Sequence, residues 1–249
     1  WHKLWLSLAE NERALGLPIT QEQVDELREN LEYIDYEAAA RYERETRHDV
    51  MAHIRAWGDA CPNAKPIIHL GATSCYVDDN ADLMAIREGL MQVKSLLVTA
   101  VAELSKFAET YKDTPVLAYT HFQAAQPTTL GKRACMWIQD LLMDLDRLDF
   151  ELSHLRFYGC KGATGTNASF LALFGGDGEK AVELERRIAG DMGFDAVLPI
   201  TGQTYTRKID SFILNVLSGI AQSASKMATD LRLMSHEKEF DEPFAEGQV

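Results

Sequence analysis

Residues 83–107 read LMAIREGLMQVKSLLVTAVAELSKF, and their spacing decides the fold. Leu83, Ile86, Leu90, Val93, Leu97, Val101, Leu104 and Phe107 recur at steps alternating between three and four. Such a stripe lines the core-facing side of an α-helix. The predicted helix is roughly 30 residues long, far above the usual length. Pro115 stands just past its end. A second stripe carries Leu130, Ala134, Trp137, Leu141, Leu145, Leu148, Leu152 and Leu155, with Pro127 near its start, where proline is tolerated. A third carries Ile209, Ile213, Val216, Ile220, Ala224, Met227, Leu231 and Met234. A shorter helix, about Glu179 to Met192, lies between those two. Long helices with such seams pack side by side at shallow angles. No strong strand alternation is present, so the spacing predicts an all-α fold. Its centre is a bundle of long helices over residues 74–249.

Upstream the pattern is shorter and more broken. Residues 1–15 place Leu4, Leu8 and Leu15 on one helix face, ended by Gly16 and Pro18. Thr20 with Gln23 three residues on forms a capping box. Asp35 is the expected cap of a helix to about Thr46, and another covers Val50 to Ala60, closed by Pro62. Short helices in different directions predict a small helical N-terminal domain over residues 1–73.

Composition narrows the function. The chain has 249 residues, 46% hydrophobic and 25% charged, the profile of an ordinary globular protein. Its 38 acids against 25 bases give a net charge of -13, which argues against nucleic acid or an anionic membrane as partner. A small anionic ligand, which needs only a few placed bases, is still compatible. No apolar run reaches the length of a membrane span. The four cysteines, Cys61, Cys75, Cys135 and Cys160, show no CxxC spacing and no zinc-like cluster with histidine. They read as free thiols of a reducing, cytoplasmic protein. The N-terminus Trp1-His2-Lys3-Leu4-Trp5 lacks a signal peptide's apolar core. It also lacks a starting Met, and the chain stops at Val249 without a helix end, so both ends are expected to be cut.

Several polar stretches interrupt the helices. Thr120-His121-Phe122-Gln123-Ala124-Ala125-Gln126 sits where the chain turns between two long helices. Rigid elements often present reactive groups on such loops, although a lone histidine can equally cap or pack a turn. Arg47-His48-Asp49 opens a helix, where Asp49 suits the helix dipole and His48 can serve as a cap. His69-Leu70-Gly71-Ala72-Thr73-Ser74 precedes the first long helix; its hydroxyls fit either anion binding at a helix start or plain capping. Lys161-Gly162-Ala163-Thr164-Gly165-Thr166-Asn167-Ala168-Ser169 has glycines that allow close backbone approach. Its order does not fit a phosphate-binding P-loop. Thr201-Gly202-Gln203-Thr204-Tyr205-Thr206-Arg207-Lys208 opens the third long helix with an amide, hydroxyls and a cation pair.

In order and over essentially the whole chain, these segments resemble the fumarase/aspartase superfamily of lyases. Within it they are most similar to the purine branch, the adenylosuccinate lyases of the animal type. The resemblance rests on Arg47-His48-Asp49-Val50-Met51-Ala52-His53, Ile68 to Val77, Thr120-His121-Phe122-Gln123, Lys161 to Thr166 and Ile200 to Tyr205. It implies elimination of fumarate from adenylosuccinate to give AMP, and from the succinylaminoimidazole carboxamide ribotide of purine nucleotide biosynthesis. It implies a homotetramer whose bundles form a common core, with active sites shared between subunits. No metal or organic cofactor is implied.

The resemblance also assigns roles. His121 matches the general acid that protonates the departing nitrogen, a step typically worth about 10²–10⁴ in rate. His48 matches a second active-site histidine. Arg47, Asp49, Thr73, Ser74, Thr120 and Gln203 match substrate-binding positions, and Lys161 is a further candidate cation. The chain departs from the family in lacking the mobile loop of form SSxMPxKxNP, whose serine is the general base. The sequence Glu242-Pro243-Phe244-Ala245-Glu246-Gly247-Gln248-Val249 resembles the lead-in to that loop. The family's N-terminal Arg-Tyr contact and third domain are also missing, and Ala124 replaces a common proline. The expectation is a fragment, or ordered part, of a complete enzyme. A sibling lyase acting on argininosuccinate or malate, and a helical scaffold without catalysis, are the competing readings.

Overall fold

The computed structural model of the protein describes residues 1–239, 241 and 244–248. It divides into two compact units. The first comprises Trp1–Arg87 with Leu155–Thr206, the second Glu88–His154 with Arg207–Val249.

The first unit holds α1 (His2–Ala14), α2 (Gln21–Glu29), α3 (Tyr36–Thr46) and α4 (Asp49–Ala60). Their starts follow local chemistry. Thr20 and Gln23 close the expected capping box before α2, and the Asp35 carboxylate accepts from Ala38 N–H before α3. Arg47 ends α3 in the left-handed region, φ 52°, and His48 immediately caps α4. Leu4, Trp5, Leu8 and Trp57 are at most 2% exposed, and the Trp5 and Trp57 rings stack at 5.9 Å. Residues 155–206 complete this unit with α7 (Ala168–Leu173) and α8 (Gly178–Asp191). The α8 helix matches the expected Glu179–Met192 helix within a residue, and Asp177 caps it. The short α7 has no counterpart in the sequence reading.

The helix α5 (Ser74–Thr110) runs from the first unit into the second. It is 37 residues long, about 55 Å at the usual rise. It starts at Ser74, earlier than the apolar stripe alone indicated. Leu83, Leu90 and Leu97 of that stripe are buried.

The second unit adds α6 (Leu130–His154) and α9 (Lys208–His236) to the C-terminal half of α5. Ala108, Leu130, Ala134, Trp137 and Met234 form its core, with Leu104, Phe107, Val116 and Leu231 packed against them. Trp137 Nε1–H donates to Asp230 at 2.8 Å, tying α6 to α9. Ala224, placed on the apolar seam from its spacing, is exposed.

The segment between α5 and α6 corrects the sequence reading. It is a two-stranded antiparallel hairpin, β1 (Pro115–Thr120) and β2 (Gln123–Thr129), not a plain loop. Pro127 therefore lies in β2, opposite Leu117, and not in the first turn of the second long helix. Proline is tolerated in such a two-stranded ribbon because its ring can face the free edge. Of the stretch read as a lead-in to the missing loop, Glu242, Pro243 and Val249 lie outside the described residues.

Candidate active site

The first unit gathers most of the polar stretches into a chain of contacts. His48 is the N-cap of α4, and its Nδ1 accepts from Met51 N–H at 3.4 Å. Its Nε2 lies 3.1 Å from Ser74 Oγ. An imidazole accepting at Nδ1 carries its proton at Nε2, so His48 donates to Ser74. Ser74 is the first residue of α5, so a capping histidine and a helix start are joined. The next residue back, Thr73, donates through Oγ1 to the Lys161 carbonyl at 3.4 Å. Arg47, His48 and Asp49 are exposed, as a group meeting a ligand must be, and Thr73 and Ser74 are half-buried.

The loop 161–166 then meets the loop 201–203. Gly165 has φ 77°, and a Cβ built there would stand 2.1 Å from the Thr201 carbonyl. Only glycine permits that backbone contact. Tyr158 Oη donates to the Gln203 carbonyl at 2.6 Å, which holds the backbone and leaves the Gln203 side chain exposed. So the structure brings Arg47, His48, Asp49, Thr73, Ser74, Lys161 and Gln203 into one unit.

Beneath these loops lies a scaffold that periodicity did not reveal. Asn80 is fully buried. Its Oδ1 accepts from Tyr158 N–H at 2.9 Å and Gly159 N–H at 3.2 Å, while its Nδ2 donates to Tyr76 and Gly159 carbonyls. Asp79 accepts from Tyr205 N–H. The run Asp78-Asp79-Asn80 directly precedes the apolar stripe that begins at Leu83. It is the first turns of α5, and it holds both neighbouring loops. The clue available beforehand was polar residues on a helix that otherwise reads as core.

Lys161 is placed differently from the sequence assignment. Its Nζ lies 2.7 Å from both carboxylate oxygens of Glu185, with the two side chains 6% and 10% exposed. Its ammonium is committed to the protein interior. It anchors the loop whose carbonyl Thr73 uses, rather than presenting a free cation.

Two other ionisable groups near His48 are perturbed. Burial, then the charges of Asp49, Asp79 and Asp82, raises the Asp78 carboxyl to about 6. Burial, then nearby His48, lowers the His69 imidazole to about 4. Trp5 Nε1–H donates to His69 Nδ1 at 2.9 Å, so His69 is a neutral structural acceptor near neutral pH.

His121 and Thr120 belong to the second unit, at the hairpin tip. Thr120 pairs with Gln123, leaving His121 and Phe122 as the turn. Both have positive φ, 55° and 56°. A two-residue hairpin loop with two left-handed positions normally uses Asn-Gly. Two bulky residues there store backbone strain of the kind that functional turns tolerate. The imidazole projects from an exposed tip with no hydrogen bond of its own among the described residues. A cavity of about 560 Å³ lies between this tip and the helices, lined by His121, Lys132, Arg133 and Glu239 among others. Among the described residues no group of His, Cys, Asp and Glu could hold a metal ion, and no helix is long and apolar enough to cross a membrane.

Known proteins resemble this chain along its whole length. The adenylosuccinate lyase of Saccharomyces cerevisiae is 51% identical over 252 residues, covering 100% of this chain and 52% of that protein. The adenylosuccinate lyase of Schistosoma mansoni is 47% identical, with 100% and 52% covered. The chain thus spans about half the length of the curated relatives it matches. Among solved structures, a fumarate lyase from Mesorhizobium sp. BNC1 superposes with a TM-score of 0.80 over 94% of this chain and 53% of that one. At 22% identity that likeness concerns the fold alone. The Lyase family model matches residues 19–248, spanning the His48 cap, the hairpin and the loops that meet at Gly165, and the chain therefore belongs to the Lyase family.

Proposed function

We propose that this chain forms part of an adenylosuccinate lyase, which eliminates fumarate from adenylosuccinate to give AMP. The same site would cleave the succinylaminoimidazole carboxamide ribotide of purine nucleotide biosynthesis. The observation that carries this reading is the joining of the Arg47–Asp49, Thr73–Ser74, Lys161–Thr166 and Thr201–Gln203 segments in one unit. Half-identity to named adenylosuccinate lyases along the whole chain supports the purine branch over a sibling acting on argininosuccinate or malate.

The chemistry follows from the residue types. A base removes a proton from the carbon beside one carboxylate, and the C–N bond breaks with its electron pair passing to nitrogen. His121 donates the proton that the nitrogen requires. The carbon acid is weak, so its developing negative charge needs fixed hydrogen-bond donors. Thr73, Ser74, Gln203 and Arg47 of the first unit and Thr120 of the second are the proposed donors to substrate, and His48, oriented by its cap, stands beside Ser74. The reaction so written needs no metal or organic cofactor.

We read residues 1–73 as the N-terminal domain and 74–249 as the bundle domain, since α5 opens at Ser74. We further propose a cytoplasmic homotetramer with shared active sites, which binds neither nucleic acid nor membrane. Large apolar side chains stand exposed on each long helix: Leu96 at 71%, Met143 at 64% and Leu214 at 64%. Packing against other copies of the chain would bury such side chains, which supports the proposed association. All four cysteines are free, consistent with a reducing compartment.

Replacing His121 with Ala in the full-length protein separates enzyme from scaffold. The enzyme reading expects fumarate release to fall by about 10²-fold or more, with the oligomer unchanged by light scattering. Unaltered turnover would remove His121 from the mechanism.

A further inference from the structure

The C-terminus of α9 is closed by a Schellman motif that uses lysine where glycine is usual. Glu237 is the C-cap, and Lys238 takes the left-handed position, φ 58°. Lys238 N–H donates to the Ser235 carbonyl at 3.1 Å, and Glu239 N–H to the Met234 carbonyl at 3.0 Å. The motif turns the chain back and aims Glu239 at the hairpin.

There Glu239 and Arg133 between them hold both backbone polar groups of one residue of β1. Glu239 Oε1 accepts from Leu117 N–H at 3.2 Å. Arg133 Nη2 donates to the Leu117 carbonyl at 2.8 Å. The two side chains are joined to each other at 2.6 Å and are 16% and 12% exposed. Together they occupy the hydrogen-bonding places that a third strand would take at this edge. The position is mechanically significant. Just beyond Leu117 the ladder is irregular, with Leu117 opposite Pro127 but Tyr119 opposite Ala124. Ala118 thus faces both Ala125 and Gln126, a bulge that bends the ribbon. Beyond the bulge the tip stands over the 560 Å³ cavity instead of a packed core. Val116, at the base, packs against the helical core.

We propose that Arg133 and Glu239 are positioning residues for His121, clamping the hairpin arm so that its strained tip points at substrate. The inference rests on His121 being the proton donor. The clamp ties the hairpin to the starts and ends of α6 and α9, so the imidazole's place is set by the helices and not by the flexible ribbon alone. A displacement of about 1 Å at a reacting group can cost 10²-fold in rate.

The test uses the full-length protein with Arg133→Ala, Arg133→Lys and Glu239→Gln. We expect Arg133→Ala to lower kcat by about 10- to 100-fold with KM changed by less than about threefold. Arg133→Lys, which keeps the charge but not the fork, recovers part of the loss. Amide hydrogen exchange at Leu117 should accelerate in Arg133→Ala and Glu239→Gln while the helical circular dichroism is unchanged. Glu239→Gln, equal in size to the native residue, carries the test if Arg133→Ala does not fold. Wild-type kcat in folded variants, or an unchanged Leu117 exchange rate, would overturn the proposal. A parent protein that releases no fumarate from adenylosuccinate would defeat the functional reading. In that event the exchange rates alone decide whether the clamp exists.

Discussion

Lys161 and Glu185 form a buried ion pair at the foot of the polar loops, with the ammonium 2.7 Å from each carboxylate oxygen. Glu185 also accepts from Cys160 N–H at 2.8 Å and from Asn167 Nδ2 at 3.3 Å. Asn167 in turn donates to the Cys160 carbonyl. One carboxylate from α8 therefore gathers both ends of the 160–167 segment. That segment supplies the carbonyl that orients Thr73 and the glycine that meets Thr201.

Replacing Lys161 with Met leaves Glu185 buried without its countercharge. Such a loss costs about 3–5 kcal/mol. We expect that destabilisation in urea unfolding of Lys161→Met, and recovery of most of it in Lys161→Met with Glu185→Leu. A Lys161→Met protein of native stability that had lost only substrate affinity would instead make Lys161 a substrate contact.

Gly165→Ala places a methyl against the Thr201 carbonyl in a backbone region that alanine avoids. Strain of this kind costs about 1–3 kcal/mol, unless the two loops move apart. Either response disturbs the Gln203 loop. The expected outcome is a lower urea midpoint together with a raised KM. A variant with native midpoint and native KM would show that the loops do not depend on this contact.

Glu12 is fully buried, and neither carboxylate oxygen has a hydrogen-bond partner in the described structure. Burial raises its carboxyl from 4.5 to about 9. The folded state then keeps a proton that the unfolded chain releases above about pH 4.5. Stability from this group is accordingly full at low pH and is lost as pH rises toward 9. Glu12→Gln removes that dependence. Its stability relative to the native protein should grow by up to about 4 kcal/mol between pH 5 and pH 8, read from Tm at the two values. A Tm difference independent of pH would mean that Glu12 is ionised in the folded state.

Much of this architecture is legible in the sequence because its causes are local. The α2 and α3 starts follow from Thr20, Gln23 and Asp35, each within three residues of the group it caps. The α5 stripe is legible because Leu83, Leu90 and Leu97 must face a core. The hairpin was not legible. Most side chains of β1 and β2 are exposed, so no apolar alternation is written there, and Pro127 imitates a helix start. The family motifs marked His48 and Ser74 separately, but their contact spans 26 positions. Glu185, Asn80 and Glu239 act mainly through partners distant in sequence, which spacing does not encode.

The most direct test is fumarate release by the full-length protein offered adenylosuccinate, argininosuccinate and malate separately. The account predicts fumarate from adenylosuccinate alone. Fumarate from argininosuccinate or malate instead would keep the fold and contradict the assigned substrate. Release from none of them by a folded helical oligomer would contradict the account and favour a scaffold.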